Sequence, residues 1–256
     1  MKAKFKIQYI LVVLLVFIFF QSEILAQKGT LYQAGYNGSS YQYGFNSSPT
    51  LYIKGAPEDI DWERWSILHD GSVYRLYFMA IGRSDILYQF GYNPFSGAYE
   101  FGYESLPRIS VVGLPNNTNV TNFSILFDGV FYRLYFKSSD NFSLYQCAFN
   151  TSTLQYEFAY ESIPEIQIIG APQDINIKSW TMLHDGDQYR LYFSSKVNPN
   201  KLYQFGFNGR SYNYGYNSTP IIFIEGMPQK NYVRKFNITH DGSLYRFYRL
   251  VKTDEY

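Results

Sequence analysis

The stretch WSILHDGSVYRLYF, residues Trp65–Phe78, decides the fold because it recurs three more times along the 256-residue chain. It returns as FSILFDGVFYRLYF from Phe123, as WTMLHDGDQYRLYF from Trp180 and as FNITHDGSLYRFYR from Phe236. Successive copies begin 58, 57 and 56 residues apart. A long and regular period of this kind indicates a repeat architecture.

Two further motifs recur with the same period, so almost the whole chain after its N-terminal region is repetitive. LYQFGYN at Leu87 and YEFGYES at Tyr99 are examples. The first motif begins at Leu31, Leu87, Leu144 and Leu202, and the second at Tyr41, Tyr99, Tyr156 and Tyr212. Each copy then runs through a proline and a short apolar segment to a Gly-x-Pro turn.

The local pattern predicts β-strands throughout. Runs of six to eight residues rich in Tyr, Phe, Ile and Leu are separated by Gly, Asn, Asp, Ser and Pro, without helical periodicity. The dipeptide Asp70-Gly71 and its three copies tolerate the positive φ angles of tight hairpin turns. Each unit is therefore predicted to be an antiparallel meander of four strands, with room for a fifth short strand such as Ile109–Val112.

The phase of the repeat favours a closed ring over an open row of sheets. The chain after residue 26 opens in mid-unit and ends in mid-unit, so its last two strands and first two would complete one sheet. This predicts an all-β fold: a four-bladed β-propeller of four repeats of about 57 residues, forming a single domain over 27–256. The predicted blades are approximately 62–113, 120–170, 178–226, and 234–256 together with 28–55.

The N-terminus resembles a secretory signal peptide. Lys2, Lys4 and Lys6 precede an apolar run from Tyr9 to Phe20, and a short polar segment contains Ala26. Cleavage between Ala26 and Gln27 is predicted, giving residues 1–26 as the signal and a secreted protein, extracellular or periplasmic. The alternative is an uncleaved anchor, although a bilayer span needs roughly 20 apolar residues.

Composition excludes some partners. The net charge is +1 with acids and bases interspersed, so we expect no nucleic acid and, after signal cleavage, no membrane partner.

The single cysteine, Cys147, permits no intrachain disulfide and occupies a slot that is otherwise apolar. We expect a monomer without a cofactor, leaving open a structural cation in the channel.

The order of motifs resembles the hemopexin-like repeat family. GAPEDI at Gly55–Ile60, continuing into Trp65–Phe78, is the best copy, and Gly170, Pro172 and Asp174 repeat the pattern. Hemopexin-like domains are four-bladed propellers, so the resemblance implies that architecture and a general binding role. The family's cysteine pair is absent, and no functional residue is transferred.

Two sets of side chains recur at equivalent positions and are candidates for a site. The three histidines, His69, His184 and His240, share one slot, and three imidazoles with an open position suit zinc. The fourth slot is Phe127, which favours the alternative that these rings pack against the Asp-Gly turns. Asp59 and Asp174, after the Gly-x-Pro turns, are a weaker candidate cation site.

An arginine recurs in every YRLYF strand. The four are Arg75, Arg133, Arg190 and Arg246, which we predict to be ligand-binding residues that line a groove. The alternative is a guanidinium stacked on tyrosine and bonded within the protein, with Glu104, Glu161, Asn46 and Asn217 available as partners.

The function predicted from these features is a non-enzymatic binding module whose repeated sites bind glycans or another surface ligand. Tyrosine and tryptophan give flat apolar faces for sugar rings, and Asn, Gln and Arg supply hydrogen bonds. The alternatives are a propeller that binds an extracellular protein or has a structural role at the cell exterior, and a glycoside hydrolase-like enzyme that uses carboxylates such as Glu104 and Glu161.

Overall fold

A computed structural model describes residues 29–228 and 235–252, and these form strands and turns without a helix. The predicted all-β class is therefore confirmed. The predicted cleavage site, Ala26 and Gln27, lies outside the described residues. In the part of the chain that is described, no helix has the length and apolar character needed to span a bilayer.

The twenty strands of the described residues fall into four repeated units. The chain begins with β1 (Gly29–Tyr36), β2 (Ser40–Tyr43) and β3 (Thr50–Lys54). Unit 1 contains β4 (Ile60–His69), β5 (Tyr74–Ala80), β6 (Ile86–Asn93), β7 (Ala98–Phe101) and β8 (Arg108–Val112). Unit 2 contains β9 (Thr118–Phe127), β10 (Tyr132–Ser138), β11 (Ser143–Asn150), β12 (Gln155–Phe158) and β13 (Glu165–Ile169). Unit 3 contains β14 (Ile175–His184), β15 (Tyr189–Ser195), β16 (Lys201–Phe207), β17 (Ser211–Tyr214) and β18 (Ile221–Glu225). Unit 4 combines β19 (Phe236–His240) and β20 (Tyr245–Lys252) with β1, β2 and β3.

The Asp-Gly turns form the predicted hairpins. Trp65 lies opposite Phe78 and His69 opposite Tyr74, in antiparallel register. One oxygen of Asp70, Oδ1, accepts hydrogen bonds from the backbone N–H groups of Ser72 (3.1 Å) and Val73 (2.8 Å). The carboxylate thus satisfies backbone donors that the turn leaves unpaired, which is why Asp occupies this slot four times.

The fifth strand of each unit has a role that the sequence did not reveal. In unit 1, β8 pairs antiparallel with β6, next to β7, and also pairs in parallel with β12 of unit 2. Three more parallel pairings, β3–β7, β13–β17 and β18–β2, repeat this contact around the molecule. The units are therefore joined by backbone hydrogen bonds into one 20-stranded sheet.

The first and last described strands close the circuit. β1 and β20 pair antiparallel over seven residue pairs, from Gly29 opposite Lys252 to Gly35 opposite Arg246. The prediction that the first and last strands share one sheet is therefore confirmed for the described residues. Because radially repeated sheets in a closed circuit are the topology of a β-propeller, the propeller architecture is supported.

Short polar side chains connect the inner strands β4, β9, β14 and β19. The Ser66 hydroxyl accepts a hydrogen bond from the backbone N–H of Ile125 (3.0 Å), and Ser124 accepts one from Met182 (2.9 Å). Thr239 of unit 4 accepts one from the N–H of His69 in unit 1 at 3.1 Å. Unit 4 therefore contacts unit 1 at the inner strands as well as at the outer ones.

Glycine inside the third strand of a unit leaves room for the close approach of a turn in its own unit. A Cβ at Gly91 would lie 2.2 Å from the carbonyl oxygen of Tyr103, and the same clash occurs at Gly35 and Gly206. The large rings pack largely within a unit, as Phe78 and Phe90 do with centroids 5.5 Å apart.

Replacing Ala159 with glycine is expected to stabilise the protein by about 1 kcal/mol, because Ala159 has a φ of 62° in a slot where the other units have glycine. The measurement is a thermal or urea midpoint. The reciprocal change Gly102→Ala should destabilise, since Gly102 has a φ of 70° and a Cβ there would lie 3.2 Å from Pro107. Equal effects of the two changes would contradict the conformational argument.

Candidate ligand-binding site

Each recurring arginine lies at the end of a hairpin and joins two turns. The Nε of Arg75 donates to Oδ2 of Asp70 at 2.7 Å, and its Nη1 donates to the backbone oxygen of Glu104 at 2.9 Å. The two charged side chains are 14% and 4% exposed. The arginine is therefore paired within the protein, as in the alternative interpretation, but its acceptor at Glu104 is the backbone and not the predicted carboxylate.

The same arrangement occurs in every unit. The equivalent ion pairs are Arg133–Asp128 (2.6 Å), Arg190–Asp185 (2.6 Å) and Arg246–Asp241 (2.5 Å). The equivalent backbone acceptors are Glu161, Asn217 and Asn46. All four acceptor residues have a left-handed φ of 43° to 45°. Asparagine tolerates this conformation better than glutamate, so strain is concentrated at Glu104 and Glu161.

A tyrosine from the next unit completes each cluster. The hydroxyl of Tyr132 in unit 2 donates to Asp70 Oδ2 of unit 1 at 3.0 Å. Tyr189 and Tyr245 make the same bond to Asp128 and Asp185, at 2.9 Å each. Tyr74 of unit 1 donates to Asp241 of unit 4 at 2.8 Å, which closes the ring of clusters.

These contacts hold the carboxylates ionised and the phenols protonated. Burial alone would raise the pKa of Asp128, but hydrogen bonds from Phe131, Arg133, Val130 and Tyr189 bring it below its ordinary value. Burial, followed by the contact with Asp128, raises the pKa of Tyr189 to about 12. Each cluster is thus an arginine cation and a carboxylate with a neutral hydroxyl donor at neutral pH.

A pocket lies beside each arginine, between its own unit and the next. We name these pockets 1–2, 2–3, 3–4 and 4–1 after the units that form them. Their volumes are about 380, 250, 390 and 390 Å³. Most of these volumes lie within the range of small-molecule sites, which is about 300–1,000 Å³.

Buried tyrosines and a glutamine lie at the base of each pocket. In pocket 2–3, Tyr135 and Tyr212 are each 1% exposed, and their hydroxyls are hydrogen-bonded to one another. Gln146 Nε2 donates to the Tyr135 hydroxyl at 3.0 Å. Burial raises the pKa of both tyrosines well above the ordinary value. The base of the pocket is therefore neutral and rich in hydroxyl and amide groups.

A partly exposed aromatic ring from the next unit forms one wall. The ring is Phe149 in pocket 1–2, Phe207 in pocket 2–3, Tyr36 in pocket 3–4 and Tyr92 in pocket 4–1. Each pocket thus combines an apolar face with an arginine, a glutamine and tyrosine hydroxyls.

Comparisons with solved structures return matches that include lectins. No protein-family model and no curated protein matches the sequence. AofleA from Arthrobotrys oligospora matches with 12% identity and a TM-score of 0.40, over 83% of this chain and 61% of its own, less than two thirds of its length. An Aleuria aurantia lectin in complex with Fucα1-6GlcNAc matches with 13% identity and a TM-score of 0.39, over 83% and 69%. A six-bladed β-propeller lectin from Aleuria aurantia matches with 12% identity and a TM-score of 0.36, over 89% and 79%. The hemopexin-like resemblance finds no support among them.

The histidines lie apart from the pockets, at the ends of the inner strands. Each ring packs against the first tyrosine of the following strand, as His69 does with Tyr74 at a centroid distance of 4.6 Å. His184 and His240 make the same contact with Tyr189 and Tyr245. Burial lowers the pKa of His69 and of His184. Among the residues described, no group of three or more His, Cys, Asp or Glu side chains is placed to hold a metal ion.

The candidate cation ligands Asp59 and Asp174 instead accept hydrogen bonds from tyrosines of their own units. Tyr88 donates to Asp59 at 2.8 Å, and Tyr203 donates to Asp174 at 2.5 Å. In unit 2, where the slot is Asn117, its amide donates to the Tyr145 hydroxyl at 2.7 Å. In units 1, 2 and 3 these contacts explain the slot as a link within the unit; in unit 4 the slot is Lys230, which lies outside the described residues.

Sequence reasoning missed the residues at the base of the pockets. Tyr77 and Gln89 recur with their motifs, but the strand pattern marks Tyr77 only as another aromatic residue, and both are buried. Pairing Tyr77 with Tyr156 requires the neighbouring unit in place. The signal that could have found them is repetition: the second tyrosine of YRLYF, or of YRFYR in unit 4, and the glutamine of LYQ recur in all four units, so a polar atom is kept at a buried position.

Proposed function

We propose that the four units are the blades of a four-bladed β-propeller that binds glycans, one pocket lying between each pair of adjacent blades. The observation that carries the proposal is the fourfold recurrence of one pocket at the four junctions. Packing alone requires aromatic rings, but it does not require an open pocket at every junction with the same arginine and tyrosine hydroxyl groups.

The chemistry of the lining suits a sugar. A pyranose has an apolar face that stacks on an aromatic ring, as Phe149 or Tyr36 offers, and hydroxyl groups that both donate and accept hydrogen bonds. The guanidinium of Arg75 supplies donors, while glutamine and tyrosine hydroxyls supply both donors and acceptors. Four equivalent weak sites gain apparent affinity on a multivalent surface, provided that the spacing permits simultaneous binding.

Binding without catalysis is part of the proposal. Glycoside hydrolysis needs two carboxyl groups about 5–9.5 Å apart across one substrate. Glu104 and Glu161 line two different pockets, and neither pocket has a second carboxylate among its described lining residues.

We also propose that the protein is secreted and acts as a monomer without a cofactor. The N-terminal pattern of three lysines, an apolar run and Ala26 supports export. The closed sheet supports a monomer, because the strand edges of the four units pair with one another and leave few for another copy.

The test is binding to a glycan array, with fucose among the test sugars because the disaccharide named for one lectin above contains it. Removing the four wall rings (Phe149→Ala, Phe207→Ala, Tyr36→Ala and Tyr92→Ala) should weaken binding about tenfold or more, the equivalent of roughly 1.5 kcal/mol of stacking. The matched control is Phe95→Ala, which removes a ring that is 94% exposed on the β6–β7 turn. An array without signal, or equal loss in the control, would overturn the proposal.

A further inference from the structure

The four pockets are of two kinds. The slot that supplies the backbone acceptor for the arginine is glutamate in pockets 1–2 and 2–3, and asparagine in pockets 3–4 and 4–1. The wall ring changes together with it. Phenylalanine accompanies glutamate, and tyrosine accompanies asparagine. The two kinds occupy adjacent pairs, so one half of the ring of pockets differs from the other.

The two kinds differ in charge. Among the described residues that line each pocket, arginine and, where present, glutamate are the only charged side chains. Each arginine is already neutralised by the aspartate of its hairpin, as Arg190 is by Asp185 at 2.6 Å. Glu104 therefore adds one uncompensated negative charge to its pocket. Its side chain accepts a hydrogen bond from Tyr103, which orients the carboxylate without removing the charge.

From this difference, and on the basis of the proposed glycan binding, we infer that the two asparagine pockets accept acidic sugars, such as uronic acids, and that the two glutamate pockets exclude them. A sugar carboxylate placed in pocket 1–2 or 2–3 is repelled by the negative charge of Glu104 or Glu161, at the exposed rim of the pocket. In pocket 3–4 or 4–1 it meets the amide of Asn217 or Asn46, which can donate a hydrogen bond. Neutral sugars meet no charge penalty in either kind of pocket.

The size of the effect follows from the exposure of the rim. Glu104 and Glu161 are exposed, so the repulsion acts through water-rich surroundings. At low salt we expect each glutamate to weaken binding of an acidic sugar by a factor of roughly 3 to 10. At about 0.5 M salt the factor should shrink, because exposed charges are screened within a few ångströms.

The experiment compares acidic and neutral sugars of the same stereochemistry. The probes are the methyl glycosides of glucose and glucuronic acid, and of galactose and galacturonic acid. The proteins are the wild type, E104N/E161N and the reciprocal N46E/N217E. Each substitution places a residue that the chain already uses at the equivalent position, so the backbone conformation is retained.

The measured quantity is the ratio of the Kd of the acid to the Kd of its neutral partner. E104N/E161N should raise the number of sites that bind the acid from about two to about four and lower the ratio by at most about twofold, because the two asparagine pockets already bind it; N46E/N217E should raise the ratio about 2- to 5-fold, and both changes should shrink in 0.5 M NaCl. A ratio unchanged by both swaps, with neutral sugars still bound, overturns the inference and leaves the proposed function standing. Binding of no sugar of either kind overturns both. Should N46E/N217E fail to fold, the result for E104N/E161N decides.

Discussion

Asp128→Ala is expected to destabilise the protein by about 3–5 kcal/mol, the cost of removing one partner from a buried ion pair. The Asp128 side chain is 5% exposed and the Arg133 side chain 12%. The carboxylate also accepts hydrogen bonds from the backbone N–H of Phe131 (2.7 Å) and from the hydroxyl of Tyr189 (2.9 Å). Alanine would leave a largely buried guanidinium without a counterion and would break a link between units 2 and 3.

The chain offers a matched control for this experiment. Arg83 and Asp85 form an ion pair at 2.6 Å whose side chains are both 53% exposed. Asp85→Ala should change the free energy of unfolding by less than about 1 kcal/mol, as is usual for exposed pairs. Urea denaturation of the two variants measures the difference, and similar losses would contradict the importance of burial at Asp128.

The same change should alter the pH dependence of stability. The pKa of Asp128 is lowered in the folded protein, chiefly by hydrogen bonds that outweigh the effect of burial. Its contribution to stability is therefore present above the unfolded pKa, about 4, and is lost as pH falls through the folded value. Asp70, Asp185 and Asp241 have pKa values shifted in the same direction. The wild type should lose stability steeply below about pH 4, and Asp128→Ala should show a shallower loss.

The fold could be predicted from the sequence because the motifs that specify it are local and repeated. Asp-Gly between two aromatic runs predicts a hairpin, and the structure has Trp65 opposite Phe78 as expected. The phase of the repeat predicted that β1 and β20 share a sheet. The parallel pairing of β8 with β12 could not be predicted, because nothing in a five-residue strand specifies a partner about 45 residues away.

The candidate site could be predicted from the sequence only in part. The arginines were identified from their repetition, but their charge is compensated by Asp70 and its equivalents, which the sequence marks only as turn residues. The side chain of Asp70 binds Arg75 five residues away and Tyr132 of the next unit 62 residues away, and only the first separation is visible in one repeat. The division of pockets by Glu104 and Glu161 against Asn46 and Asn217 was present in the sequence, but its meaning required knowing that these residues line a pocket.

Removing β20 by ending the chain at Ser243 is expected to prevent cooperative folding. β20 lies between β19 and β1, and its Phe247 and Tyr248 are 0% and 1% exposed. Loss of a buried aromatic side chain costs about 3–5 kcal/mol, so two such losses approach the 5–15 kcal/mol that stabilises a typical domain. Arg246, which binds Asp241 and the backbone of Asn46, is removed as well. Thermal unfolding followed by circular dichroism should show no sigmoidal transition.

A circular permutant shows whether folding depends on the presence of β20 or on the position at which the chain is cut. Gly29 lies opposite Lys252, so in a permutant of residues 29–252 a short Gly-Ser linker can join these two residues. New ends are placed in the turn between β15 and β16, beside the exposed Val197, which is the position equivalent to the natural break. This permutant keeps every strand and should unfold cooperatively within a few degrees of the wild type. If it fails to fold while the truncated chain retains a sigmoidal transition, β1 and β20 do not close the ring, because a closed sheet depends on which strands pair and not on where the chain is cut.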